Sequence, residues 1–140
     1  LDRNLQIDLK SYIAKSIKNK NTIIFHNSKD KSKIKLLKKR GTILIKQPTD
    51  KYKNLDLKKI LKDLYKMEIR NLLVEGGDIL TKNFIQKKLF NEFYVFRSSK
   101  NLSKNKKHVN FTSFSILNTK YNKHKINSKL ATDKLTIYKN

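Results

Sequence analysis

Apolar residues along this chain fall into short runs separated by stretches of helical spacing. The runs are residues 22–26 (TIIFH), 41–46 (GTILIK), 71–75 (NLLVE), Glu92–Arg97 (EFYVFR) and 135–139 (LTIYK), each of a length and composition that suits a strand. Between them, residues 31–40 (KSKIKLLKKR) place Ile34 and Leu37 on one face with Leu36 beside them. Residues 55–67 (LDLKKILKDLYKM) place Leu57, Ile60, Leu61, Leu64 and Met67 at i, i+3, i+4 spacing. Asp56 or Asn54 is a suitable N-cap for the second helix, and Gly41 a suitable stop for the first. Strand, helix, strand, helix, strand predicts a parallel α/β architecture.

Beyond Arg97 the pattern changes. Residues 98–111 (SSKNLSKNKKHVNF) are polar and without period, which predicts a long exposed loop. From Phe111 onward, FTSFSIL and KLTIY suggest antiparallel strands or a hairpin closing a mixed sheet. Pro48 reads as a turn residue. The first residues, LDRNLQI, read as the tail of a strand entering a turn, as in a fragment. With no Gly/Ser linker and no repeat, one domain is expected.

Composition narrows the chemistry. The 140 residues contain no cysteine, which excludes disulfides, thiolate metal sites and cysteine nucleophiles, and His26, His108 and His124 are too scattered for a metal cluster. No apolar run approaches membrane-spanning length, and the first residues, LDRNLQIDLK, have neither an apolar h-region nor a small-residue cleavage site, so a cytoplasmic protein is expected. The net charge of +23 suggests a polyanion partner, but only four of the 34 cations are arginine and the lysines are spread over nearly the whole chain. That dispersal reads as a solvated, biased surface, with no specific nucleic-acid face and no membrane partner.

The chain has three glycines, and two of them, Gly76 and Gly77, stand together between the run ending in Glu75 and a segment of helical spacing at residues 79–89. A strand that turns at once into a helix presents free backbone N–H groups and the positive end of the helix dipole, where phosphate binds. Glycine lets a diphosphate approach that backbone. Glu75, an anion, suits hydroxyl or amine groups beside a phosphate, such as those of a sugar. The same glycines also suit a plain tight turn, with Asp78 favoured near the helix start for its charge. Spacing alone leaves both open, since the pair lacks the third glycine of a dinucleotide fingerprint.

Residues 71–99, NLLVEGGDILTKNFIQKKLFNEFYVFRSS, resemble the reductase domain of the bifunctional riboflavin-biosynthesis deaminase-reductase. In that family a strand ends in V-E-G-G, a helix follows, and an L-V-D-E-like segment leads into the next strand; here the last segment is Leu89, Phe90, Asn91 and Glu92. Residues 1–16, LDRNLQIDLKSYIAKS, are similar to the family's L-D-x-x-L-R-x-P-x-x-S-x-L, with Gln6 and Asp8 in place of the arginine and proline.

The resemblance implies a dihydrofolate-reductase-like α/β fold, a mixed and mostly parallel sheet flanked by helices. It implies NADPH-dependent reduction of 5-amino-6-(5-phosphoribosylamino)uracil, a small phosphoribosylaminopyrimidine substrate, by a protein that is a homo-oligomer at full length. Carried over, Glu75 touches the substrate sugar. Gly76, Gly77, Asp78, Ile79, Leu80, Thr81, Lys82 and Asn83 line the NADPH phosphate site, and Arg3 sits at a cofactor-contacting turn. No catalytic residue is assigned. Thr81 adds a hydroxyl donor to the amides, Lys82 is either a phosphate partner or a solvated side chain, and Arg3 is either a 2′-phosphate partner or a surface turn residue.

The sequence also departs from the family. Its M-D-G-K-like and G-x-G-T-x-x-x-D-D-P-like segments have no counterpart here, and neither does the zinc set of the deaminase. Residues 1–140 are therefore expected to be the C-terminal portion of one reductase domain, a partial site inactive by itself. The alternative is a non-catalytic basic α/β module binding RNA or another polyanion. Glu75 beside a phosphate site argues against it, as does the lack of aromatics interleaved with cations.

Overall fold

In a computed structural model, which describes residues 1–19, 21–99, 112–126 and 132–140, the chain forms two compact units, Leu1–Leu72 and Leu73–Asn140. In the first, the Asp2 carboxylate accepts from the N–H groups of Gln6 (2.8 Å) and Ile7 (2.7 Å), closing a turn that buries Leu5. Helix α1 (Tyr12–Ser16) is capped by the Ser11 hydroxyl and runs into a 3-10 turn at Ile17–Asn19. Strand β1 (Ile23–His26) leads through helix α2 (Lys31–Lys39) to strand β2 (Ile43–Lys46), and the two strands pair in parallel with Ile23 opposite Ile43. Leu5, Ala14, Ile17, Ile24 and Leu37 form the core beneath them, packed by Ile7, Leu9, Ile34 and Leu44. Leu37 is fully buried and Leu36 is exposed, so the apolar stripe of α2 runs through Ile34 and Leu37. Helix α3 (Leu57–Lys66) follows, with Leu57 and Ile60 buried and Asp56 as its N-cap.

In the second unit, helix α4 (Asp78–Gln86) precedes strand β3 (Glu92–Arg97), helix α5 (Phe114–Lys120) and strands β4 (Asn122–Ile126) and β5 (Lys134–Lys139). The strands form an antiparallel sheet in the order β3-β5-β4, with Glu92 opposite Lys139. Ile85 of α4, Leu117 of α5, Val95 and Tyr138 make the core, flanked by Phe90, Phe93 and Tyr121. Tyr121 donates its hydroxyl to the Ile85 carbonyl (2.7 Å), so its polar end is satisfied where its ring packs on Phe90.

Helices α2, α3 and α4 end in the same way. In each, the residue after the C-cap has positive φ: Gly41 (93°), Glu68 (64°) and Lys88 (53°). The N–H of the next residue then reaches back five positions, Thr42 to Leu37, Ile69 to Leu64 and Leu89 to Phe84, which satisfies carbonyls the helix leaves free.

The chain thus has the expected mixed α/β character, with one parallel ladder in the first unit and two antiparallel ladders in the second. Two local expectations are corrected. Residues 71–75 have no ladder partner among the described residues, and Leu73 is 83% exposed; an apolar run becomes a strand only where a neighbour accepts its hydrogen bonds. FTSFSIL contributes a helix in place of a strand, because Phe114, Leu117 and Tyr121 recur at i, i+3, i+7 and face the core. Of the expected long loop, Ser98 and Ser99 are exposed, and residues 100–111, His108 included, lie outside the described residues. Among the described residues no helix is long and apolar enough to cross a membrane.

Candidate dinucleotide site at the double glycine

Helix α4 is anchored by Thr81, Phe84 and Ile85, which are buried at i, i+3, i+4 spacing. Its opposite face is open, with Lys82 exposed and Ile79 74% exposed. Gly77 is the N-cap (φ −71°, ψ 177°), and no side chain caps the helix there. The two preceding helices differ: Asp30 accepts from Lys33 N–H, and Asp56 from the N–H groups of Lys58 and Lys59. The first helical hydrogen bond of α4 runs from Thr81 N–H to Gly77 O (3.2 Å). The N–H groups of Asp78, Ile79 and Leu80 precede it and have no acceptor within the helix.

The two glycines play different parts. A Cβ on Gly76 would lie 2.7 Å from Leu80 Cδ2 and 3.2 Å from Leu80 Cβ, so a larger residue there would oblige the Leu80 side chain to shift. A Cβ on Gly77 would meet nothing within 4 Å, and the φ of Gly77 suits any residue. Neither sterics nor backbone conformation accounts for glycine at position 77. The open space above it does fit a group that comes close to the backbone.

Asp78 stands at the first position of α4, and its side chain turns toward α5. Oδ1 accepts from Ser113 Oγ (2.7 Å), Thr112 N–H (3.2 Å) and Ser113 N–H (3.3 Å), and Oδ2 from Thr112 Oγ1 (2.8 Å). Those donors hold its carboxyl below the usual carboxylate range, with the Ser113 hydroxyl the largest contributor and that of Thr112 next. Thr112 and Ser113 were not found from sequence. The available signal was a Thr-Ser pair just ahead of the helical spacing at Phe114, Leu117 and Tyr121.

The other candidate residues fall out as follows. Thr81 is buried and its hydroxyl leans back toward the Gly76 carbonyl at 3.5 Å, which ties the turn to the helix. Asn83 donates its side-chain amide to the Ile79 carbonyl (2.9 Å). Leu80 packs over Gly76, and Glu75 is exposed one residue before the glycine pair. Arg3 belongs to the first unit, where its guanidinium donates to the Lys53 carbonyl and to Asn4 Oδ1. His26 ends β1 as a buried residue whose Nδ1 accepts from Ser28 N–H (3.2 Å); burial, then the nearby Lys46 charge, lower its pKa. His124 is exposed.

The chain as a whole is similar to known proteins. The family described as the RibD C-terminal domain matches residues 1–129. A solved structure of Acinetobacter baumannii RibD, form 2, is similar with a TM-score of 0.69 and 17% identity, over 99% of this chain and 36% of that one. Form 1 of the same protein gives 0.68 and 16%, over 99% and 35%. The chain therefore spans about a third of the length of those relatives, and at that identity the likeness speaks for the fold. No curated protein matches it. The match to the family extends over nearly the whole chain and takes in both the L-D-x-x-L turn and the V-E-G-G segment, so this chain belongs to the RibD C-terminal domain family, with the mixed, dihydrofolate-reductase-like α/β fold of that reductase domain.

Proposed function

We propose that this chain serves an NADPH-dependent reductase of riboflavin biosynthesis, which converts the ribosylamino group of 5-amino-6-(5-phosphoribosylamino)uracil to the ribitylamino product. The observation that carries this reading is Gly77, a glycine with an ordinary φ and empty space where its Cβ would be, at the start of a helix that no side chain caps. Membership of the RibD C-terminal domain family supports it.

When bound, the nicotinamide supplies the hydride; the chain supplies binding and orientation. The free N–H groups at the start of α4 receive the diphosphate, with Lys82 close by on the exposed face to add positive charge. Glu75 accepts hydrogen bonds from the hydroxyls of the substrate sugar and fixes which carbon faces the cofactor.

Two substitutions in the full-length protein test the assignment by separating the ligands. Gly77→Ala places a methyl group where the diphosphate approaches, so the KM for NADPH rises on the order of tenfold, a larger effect than the small loss of thermal stability expected of alanine at an N-cap. Glu75→Gln keeps the shape and removes the charge; loss of a charge-assisted hydrogen bond worth about 1.5 to 3 kcal/mol lowers kcat/KM for the pyrimidine roughly ten- to a hundredfold, with NADPH binding retained. Cofactor titration and steady-state kinetics on both variants decide it. The reading fails if Gly77→Ala binds NADPH like wild type while Glu75→Gln loses it.

A further inference from the structure

A carboxylate directly after the glycine pair poses a problem for a diphosphate site, since Asp78 puts a like charge in the turn that has to receive an anion. Its side chain has no donor to offer a phosphate while ionised. The structure gives that carboxylate other partners. Four donors from two consecutive residues, both N–H groups and both hydroxyls of Thr112 and Ser113, converge on its two oxygens. Ser113 is fully buried and is the N-cap of α5, yet its hydroxyl does not cap its own helix. One turn further on, Leu117 is fully buried in the core that Ile85 of α4 shares. Asp78 therefore joins the start of α4 to the start of α5, with a buried core residue a turn beyond the joint on α5 and one within α4.

We propose that Asp78 is a positioning residue for the diphosphate site: by holding Thr112 and Ser113 it fixes the first turn of α4, and with it the direction of the backbone N–H groups that follow Gly77. The inference rests on reading this turn as the diphosphate site. The geometry explains why an acid is compatible with such a turn. The negative charge is drawn toward α5 and met by four donors, while the backbone N–H of the same residue stays at the helix start. It also supplies what the glycine pair lacks. Gly76 and Gly77 contribute no side chain to hold the turn, and the Thr81 hydroxyl adds only a long contact to Gly76 O. The joint to Thr112 and Ser113 provides the order that a preformed anion site needs.

The test is NADPH titration, steady-state kinetics and thermal unfolding of the full-length protein carrying Asp78→Ala, Ser113→Ala, both together, and Asp78→Asn. Asp78→Ala and Ser113→Ala are each expected to weaken NADPH binding by about three- to tenfold, with kcat at saturating cofactor held within about twofold. The double variant is expected to be no weaker than the weaker single one, because both remove the same joint. Asp78→Asn keeps the oxygen that accepts three of the four hydrogen bonds, so it recovers most of the loss. If Asp78→Ala does not fold, Ser113→Ala and Thr112→Val carry the same expectation. The proposal is overturned if Asp78→Ala binds NADPH as well as or better than wild type, since the carboxylate would then only oppose the ligand. It is also overturned if the two single losses add. Gly77→Ala measured alongside separates the two levels of inference. A loss at Gly77→Ala without one at Asp78→Ala removes only the positioning role, whereas no saturable NADPH binding by wild type removes the diphosphate reading and this inference with it.

Discussion

Helices α3 and α4 begin in opposite ways. Asp56 stands at the N-cap of α3 and turns inward, accepting from the N–H groups of Lys58 and Lys59, so that helix closes its own start. At α4 the N-cap is Gly77, and the nearest acid, Asp78, sits one position later and turns outward to α5. The first arrangement uses an aspartate to satisfy the helix; the second leaves the helix start open and uses the aspartate to brace it. An open start with glycine at the N-cap gives up a few tenths of a kcal/mol against the preferred N-cap side chains. Helix α5 also lacks a side-chain cap, its Ser113 hydroxyl being given to Asp78; on the helix that follows V-E-G-G, the open start is what the proposed diphosphate site requires.

Giving α4 the cap that α3 has would break the contrast most sharply. The backbone at Gly77 is extended and its Cβ direction is empty, so Gly77→Asp is sterically allowed and would cap α4 as Asp56 caps α3. The expected result is an unchanged or slightly raised thermal midpoint together with a loss of NADPH affinity on the order of a hundredfold. The new side chain both fills the approach and occupies the N–H groups with an anion. Retained NADPH affinity in a capped and folded Gly77→Asp protein would contradict the assignment. The neighbouring glycine behaves otherwise: Gly76→Ala brings a methyl group against Leu80, whose side chain has to turn aside, so a loss of up to about 1.5 kcal/mol of stability is expected, read by denaturant unfolding. Smallest is Asp56→Ala, which removes the inward cap of α3. A loss of about 1 kcal/mol with the NADPH KM unmoved is expected, checked by the same unfolding and kinetic measurements.

How much of this was legible from the sequence depends on how far each signal reaches along the chain. The strands at β1, β2, β3 and β5 were readable, as were the helices at α2, α3 and α4, because their apolar spacing is local. Gly41 as a stop was readable for the same reason, and the cap of α3 was narrowed to Asp56 or Asn54, of which the helix uses Asp56. The V-E-G-G turn stood out because glycine is rare here. What failed to show was pairing over distance. Residues 71–75 have the composition of a strand, but whether such a run joins a ladder depends on a neighbour that the run itself does not encode. The second half of the candidate site was hidden likewise, since Thr112 and Ser113 meet Asp78 across 34 and 35 residues. The short apolar groups of FTSFSIL imitated a strand, and the buried position of Leu117 shows that the helical spacing prevailed.

The three matching helix ends carry a consequence for glycine itself. At Glu68 and Lys88 the backbone occupies the left-handed region that glycine enters most easily, and a larger residue stands there with a strain of about 1 kcal/mol or more. Glu68→Gly and Lys88→Gly are each expected to raise stability by up to about 1 kcal/mol, measured by denaturant unfolding. The chain thus does without glycine at these two helix ends, and at Leu5 and Lys53 as well, where its own conformation calls for it, and keeps one at position 77, where conformation is indifferent. In a sequence so sparing of this residue, a glycine placed where the fold does not need one is what the proposed close approach of a diphosphate would require.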